Sequence, residues 1–284
     1  MNTKRSCELL KVPRSSYYEI KTRKESTRKI QDKKYIELIR GIWLKSHKRY
    51  GSPKIHSELR RMGKGMGINK VQRLMRENEM RSVVKTRFKP QTVSKVQEGL
   101  INELDQDFKV RAYGEKIVSD ITYIKTSDKG WCYLCSYMDL YNNEILSWIF
   151  EPTMDLRVVL SALKKIPAKH LKGSFVHTDR GSQYTSMVFR GELKKLQVKE
   201  SFSRRGNPHD NACIESFHAV LKKELIYPNS IKPYEDMKLL LFEYIESWYN
   251  RERIQKRLGY LSPINYLKKT KELEKKSRKI CPKY

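Results

Sequence analysis

The sequence is poor in several things. No apolar run reaches the roughly 18 residues that a membrane span needs, which excludes a helical membrane protein. The first eleven residues lack an apolar core of signal-peptide length. Cysteines number only five, scattered and odd in count, so a disulfide-built secreted scaffold is excluded and a cytosolic chain with free thiols is expected. There is no internal repeat. Acidic residues are scarce beside basic ones: 32 Asp and Glu stand against 60 Lys and Arg, leaving a formal charge of +28. What is present suffices for a core, since 38% of the 284 residues are hydrophobic and 10% aromatic, which rules out wholesale disorder.

The excess charge points to a polyanionic partner. Residues 1–100 hold 27 basic and 9 acidic side chains, against 33 and 23 in the rest, so the front is much the more basic part. Lys and Arg neutralise phosphates and release counterions, which makes nucleic acid the expected partner. An anionic membrane surface would call for a dominant basic amphipathic helix, and none stands out.

The pattern predicts a helical front. Two short helical stretches flank Pro13, and a polar helix covers about Thr27 to Ser46. Ser52-Pro53 reads as a helix start with Ser as cap. Gly63, Gly65 and Gly67 end that helix, and Asn69 is placed to cap the next, Lys70 to Asn78. Two short helices with a glycine-containing connection form a helix-turn-helix-like unit. Lys54, Arg60, Arg61, Lys70, Arg73 and Arg76 are its candidate DNA contacts. The expected division is 1–81 for this region, 82–113 for a linker, 114–270 for a catalytic core and 271–284 for a basic tail.

The back half changes character. β-Branched runs at Lys116–Ile124 and Trp131–Leu140, the turn signal Asn142-Asn143 and a third strand Glu144–Phe150 predict antiparallel pairing. Strands then alternate with helices: one starting at Asp155, a strand Ser174–His177, a helix from about Ser186, a strand near Val198, a helix from Asn211 and another over Tyr234–Asn250. Together these predict an α/β core, a mixed sheet covered by helices.

Three carboxylates occupy telling places: Asp120 inside the first strand, Asp179 just past a short strand, and Glu215 on a helix. A carboxylate within an apolar strand is costly unless paired or cation-bound. Converging at a sheet edge, the three would suit hard divalent cations, Mg²⁺ foremost. Spacing alone is weak evidence among 32 acidic residues, and Asp139 and Asp210 compete: Asp139 as a turn-amide acceptor, Asp210 as a helix cap.

Longer blocks carry more. Asp120-Ile-Thr-Tyr-Ile, His177-Thr-Asp-Arg-Gly-Ser-Gln-Tyr and Ser203-Arg-Arg-Gly-Asn-Pro-His-Asp-Asn-Ala-Cys-Ile-Glu-Ser-Phe resemble the transposases of bacterial insertion sequences. They resemble in particular the second-reading-frame protein of the insertion-sequence-three family. Thirty-five residues separate Asp179 from Glu215, as in that family's Asp, Asp, 35, Glu pattern. Cys7 to Tyr18, Arg49-Tyr-Gly-Ser-Pro-Lys-Ile-His and Tyr249-Asn-Arg-Glu-Arg to Ser262-Pro263 extend the likeness over almost the whole chain. Ile117 departs from it, standing where the family usually has Trp, and reads as a packing change.

The resemblance implies a ribonuclease-H-like, retroviral-integrase-like core with Asp120, Asp179 and Glu215 as catalytic metal ligands. Two Mg²⁺ ions are expected, with Mn²⁺ able to substitute. The implied reaction is water attack at the element end, then attack of the freed 3′-hydroxyl on another strand. Implied partners are the terminal inverted repeats, target DNA, further copies of the chain on DNA, and a first-frame protein joined by frameshifting; no membrane is involved. The implied location is the bacterial cytoplasm, on the nucleoid when bound. The family also carries a basic residue at the place of Lys222, seven after Glu215 and on the same helix face. Arg204 and Arg205, in a flexible basic loop, are further candidate DNA contacts. Two rival functions stay open: a non-catalytic DNA-binding regulator derived from a transposase, and a metal-dependent nuclease without strand transfer.

Other residues read as structural: His177 as a buried histidine, Trp131, Tyr133 and Tyr137 as sheet packing. Cys132 and Cys135 point to opposite strand faces, which excludes a shared zinc or redox site.

Overall fold

The computed structural model describes residues 3–22, 25–84, 102, 110–204 and 208–280. The chain divides into two units at Ser82/Val83.

In the first unit, α1 (Thr3–Leu9) and α2 (Arg14–Thr22) flank Pro13, and α3 (Thr27–Lys45) follows. Ser26 caps α3, its hydroxyl accepting from the Lys29 N–H. Next come α4 (Ser52–Arg61) and α5 (Ile68–Glu77). Both start earlier than the side-chain caps suggest. Gly51 and Gly67 are the N-caps, in extended conformation, and neither Ser52 nor Asn69 caps. Pro53 still falls in the first turn, where its missing N–H costs nothing. Of the three glycines after α4, Gly63 is the one the backbone requires. It sits at φ +70, its N–H bonds to Arg60, and the Lys64 N–H returns to Leu59. That pair of bonds is a Schellman stop. Ile39, Ile55, Leu59, Val71 and Leu74 fill the small core. Asp32 on α3 accepts from both Lys70 and Arg73 on α5, tying the two helices.

In the second unit, β1 (Lys116–Thr126), β2 (Gly130–Asp139) and β3 (Ile145–Glu151) form an antiparallel meander. Asn143 takes the left-handed conformation in the β2–β3 turn, at φ 59. Asp139 serves that corner as expected of a turn acceptor: it accepts from the Tyr141 and Gly114 N–H groups at 2.7 and 2.6 Å. After α6 (Leu156–Lys164), capped by Asp155, and α7 (Ala168–Leu171), strand β4 (Phe175–Thr178) pairs parallel to β1. Then follow α8 (Ser182–Thr185), α9 (Met187–Lys195) and β5 (Lys199–Phe202), parallel to β4. The sheet order is β3-β2-β1-β4-β5. A three-strand meander continued by two parallel strands on the β1 side is the ribonuclease-H-like arrangement.

A 3₁₀ turn (Pro208–Asn211) leads into α10 (Ala212–Leu221), which continues as a π-helical segment, Lys222–Ile226. The next helix repeats this form: α11 (Tyr234–Phe242) runs into a second π-helical segment, Glu243–Tyr249. Finally α12 (Pro263–Ile280) crosses residue 270 without a break, so the expected start of a tail at 271 falls inside a helix.

Alternation along the strands explains both sheet faces. Ile117, Cys135 and Tyr137 point to one side and pack with Val159, Leu163 and Phe189 of α6 and α9. Thr122 and Ser136 point to the other, where Lys222 and His218 bond to them. Ile117 is fully buried in the first of these layers, in keeping with a packing role. Cys132 and Cys135 have separate neighbours, Thr126 for one and Ser119 with Tyr184 for the other.

Candidate active site at the fork between β1 and β4

The register places the first two carboxylates. β4 pairs with β1 only over Lys116–Ser119, ending with Ser119 opposite Thr178. Asp120 and Asp179 are the next residue on each strand. Both therefore stand where the two parallel strands part, Asp120 midway along β1 and Asp179 just past the carboxyl end of β4, a fork of the kind where sites form in open α/β sheets.

Asp120 has 19% of its side chain exposed, and its Oδ2 lies 3.3 Å from His218 Nδ1. Asp179 accepts from the Gly181 N–H at 2.9 Å through Oδ1. A Cβ at residue 181 would approach that same oxygen to 3.0 Å, so glycine lets the loop close over the carboxylate. Burial, reinforced by the charge of Asp120, pushes the Asp179 carboxyl up to about 6, against the pull of the Gly181 N–H.

Glu215 lies in the first turn of α10, exposed to solvent and one turn before His218. The structure thus brings Asp120 and Asp179 together, while Glu215 stands on the helix that touches Asp120. Among the described residues no three acidic, histidine or cysteine side chains already enclose a metal position. The donor set nevertheless fits a hard cation. Two carboxylates crowd each other at the fork, and the Asn211 Oδ1 is buried with no hydrogen-bond partner. The Asn211 amide meanwhile donates to the Ser119 carbonyl, next to Asp120.

The remaining predicted contacts are deployed differently. Lys222 is only 6% exposed: its ammonium bonds to the Thr122 hydroxyl and stands 4.8 Å from the Tyr123 ring centre. Residue 222 does share the α10 side that faces β1, but the lysine is turned onto the strand. Arg204 donates to Asp210 from its backbone N–H at 2.7 Å and from its guanidinium at 3.0 Å. Asp210 is fully buried and also accepts from Asn102. Asp210 is therefore a clamp on the preceding loop and not the cap of α10, whose N-cap is Asn211 with no side-chain capping bond. Arg205 lies outside the described residues. In the first unit, Lys70 and Arg73 are committed to Asp32, Arg73 also to Glu77, and Arg61 to Glu58. Lys54 stands 4.9 Å from the Tyr50 ring centre. Arg60 and Arg76 are exposed.

His177 is the buried structural histidine expected. Its two ring nitrogens each lie 2.9 Å from a serine hydroxyl, Ser201 and Ser203, and burial pulls its pKa down to about 4. Tyr137 packs as expected, its hydroxyl donating to the Val159 carbonyl. Trp131 does not: it is 54% exposed and meets the Tyr123 ring edge-on. Sequence reasoning missed His218 altogether. Its signal was available, three residues after Glu215 and so on the same helix face.

A ribonuclease-H-like sheet with two carboxylates at the β1/β4 fork defines the integrase class of core. Residues 111–208 and 215–270 each match a family described as Integrase core domain, and residues 29–88 match an HTH-like domain. The chain is 34% identical over 270 residues to "Transposase InsF for insertion sequence IS3A" of Escherichia coli K12, covering 93% of each chain. It is 32% identical to "Insertion element IS600 uncharacterized 31 kDa protein" of Shigella sonnei, covering 93% of this chain and 97% of that one. Among solved structures, the HTLV-2 integrase catalytic core domain in complex with magnesium aligns with TM-score 0.40 and 17% identity, over 54% of this chain and 95% of that one. The chain belongs to the IS3 family of insertion-sequence transposases, proteins of DNA transposition.

Proposed function

We propose that this chain cleaves DNA at the ends of an insertion sequence and joins the freed 3′-hydroxyl to a target strand. Asp120, Asp179 and Glu215 are its catalytic carboxylates and would hold divalent cations, two Mg²⁺ ions or Mn²⁺ in their place. The carrying observation is the Asp120–Asp179 pair at the strand fork, where burial and mutual repulsion raise Asp179. Such a pair is poorly compensated by the protein and gains most from a cation. Bound there, the metal would supply positive charge to the phosphodiester and acidify the attacking hydroxyl.

The chain's own groups supply position. The Gly181 N–H fixes one oxygen of Asp179, and Asn211 ties the start of α10 to the strand bearing Asp120. Helix α10 carries Glu215 along the same side. In each step a P–O bond forms to the attacking oxygen while the bond to the leaving oxygen breaks, the attacking proton passing to solvent. Of the candidate DNA contacts, exposed Arg60 and Arg76 hold DNA as they stand, with Lys54 and Arg205 beside them in this reading, whereas Lys222, Arg204, Arg61, Lys70 and Arg73 reach a phosphate only by leaving their partners within the chain. A first-frame protein, fused by frameshifting, supplies recognition of the inverted repeats, and copies of the chain assemble on DNA. No helix among the described residues is long and apolar enough to cross a membrane.

The test incubates the chain, alone and fused to its first-frame partner, with labelled element ends in Mg²⁺ or EDTA. Joined strands dependent on metal support the full reading. Nicks without joining would reduce it to a nuclease, and binding without product to a regulator.

A further inference from the structure

Helix α10 touches β1 through a side chain that the reaction as proposed does not use. His218 is 4% exposed, at the centre of the helix, with one ring nitrogen on each of two neighbours. Nδ1 lies 3.3 Å from Asp120 Oδ2, and Nε2 lies 3.4 Å from the Ser136 hydroxyl. Ser136 is the residue directly opposite Asp120 in the β1–β2 pairing. The contacts therefore close a ring: strand to strand by the backbone ladder, and back across the helix by the imidazole. The hydrogen bonds are satisfied when Nδ1 carries the hydrogen and donates to Asp120 while the Ser136 hydroxyl donates to Nε2.

We infer that His218 is a positioning residue, which fixes the Asp120 carboxylate in the orientation that receives the metal. The inference rests on the carboxylate reading above. Three observations converge on it. Ser136 is itself fully buried, so it holds the ring without competition from water. The imidazole contact on Oδ2 restrains rotation of the Asp120 carboxyl about its last bond. Asn211, seven residues earlier on the same segment, bonds to the Ser119 carbonyl, so α10 is registered on β1 on both sides of Glu215. A ligand that is pre-oriented loses less freedom on binding, and outer partners of this kind are worth about 10–100-fold in metal affinity.

The test uses the full chain as parent, Asp120→Asn, His218→Ala, His218→Asn and Ser136→Ala. Binding of Mn²⁺ is read directly, from the EPR signal of the free ion, and the Mg²⁺ dependence of nicking is read beside it. Metal-free thermal melts report the fold. His218→Ala should raise the half-saturating metal concentration about tenfold. Ser136→Ala should raise it about two- to threefold, because the ring loses one anchor. Asparagine places an amide N–H near the position of Nδ1, so His218→Asn should restore most of the loss. If His218→Ala folds and binds Mn²⁺ like the parent, the inference fails. If it does not fold, the other two variants decide: unaltered affinity in Ser136→Ala together with a lasting deficit in His218→Asn makes His218 a packing residue only. Asp120→Asn separates the two readings. Should it bind Mn²⁺ as the parent does, the metal site itself is wrong, whatever His218 does.

Discussion

Two of the places where the second unit buries charge resolve it in opposite ways. Below α10, Glu224 sits in the π-helical segment with every demand met. Tyr244 and Trp248 donate to it, and Arg253 makes a two-pronged contact at 2.9–3.1 Å. Burial pulls the Arg253 guanidinium down, yet the charge of Glu224 carries it above its ordinary value. At the fork, Asp120 and Asp179 face each other with one histidine and one backbone N–H near them. The first site is closed and holds helices together. The second is under-compensated, which is what a cation-binding site needs before the cation arrives.

The largest effect expected from breaking this contrast is on activity. Asp120→Asn, Asp179→Asn and Glu215→Gln should each lower metal-dependent nicking by about 10³-fold, near 4 kcal/mol of barrier, with DNA binding retained. Gel assays of cleavage beside binding titrations check it, and near-parental nicking in any variant removes that residue from the site.

The closed site should respond through stability instead. Glu224→Ala leaves the Arg253 charge buried and alone, so the chain should lose about 3–5 kcal/mol in denaturant unfolding. A loss below about 1 kcal/mol would mean that water reaches the guanidinium.

At the fork, the same kind of measurement should give the opposite sign. Asp179 has its pKa raised on folding, so its contribution to stability is full below pH 3.8 and is lost as pH rises through about 6. Asp179→Asn removes that loss while keeping an oxygen for the Gly181 N–H. The variant should match the parent below about pH 4 and exceed it by about 1–3 kcal/mol above pH 6. Unfolding curves at pH 4 and 7 decide it, and a variant less stable at pH 7 refutes the repulsion.

The smallest effect concerns the basic front. Arg60 and Arg76 are exposed, whereas Lys70 and Arg73 are committed to Asp32. Replacing Arg60 or Arg76 by Gln should flatten the log–log salt slope of DNA binding by about 0.9 each. Replacing Lys70 should change the slope less and cost fold stability more. Equal slopes for all variants would show that the internal ion pairs open on DNA.

Much of this architecture is legible in the residues because it rests on local signals. The helices around Pro13, the helix start at Asp155, the Asn142-Asn143 corner and the β-branched strands all follow from short-range sterics and hydrogen bonding. Where expectation and structure part, a competing local choice won. Gly51 and Gly67 took the cap positions because extended backbone there let the helices begin one and two residues earlier than Ser52 or Asn69 would allow. The motif at Tyr249-Asn-Arg-Glu-Arg was visible as a block but silent as to role. In the fold Asn250 makes both hydrogen bonds of a strand neighbour to Ile145, and Arg253 closes on Glu224.

By itself the sequence determined the element types, the two-part charge distribution and the three carboxylates marked by their motif. Those depend on residue chemistry and on spacings of a few positions. Only the tertiary structure decided which charges are spent and which are available. It set Asp210 against Arg204, turned Lys222 onto Thr122, and brought His218 to Asp120 across 98 positions of chain. The reason is physical. A charge is assigned its partner by burial and by the register of strands and helices, and neither is encoded in the spacing of any one segment.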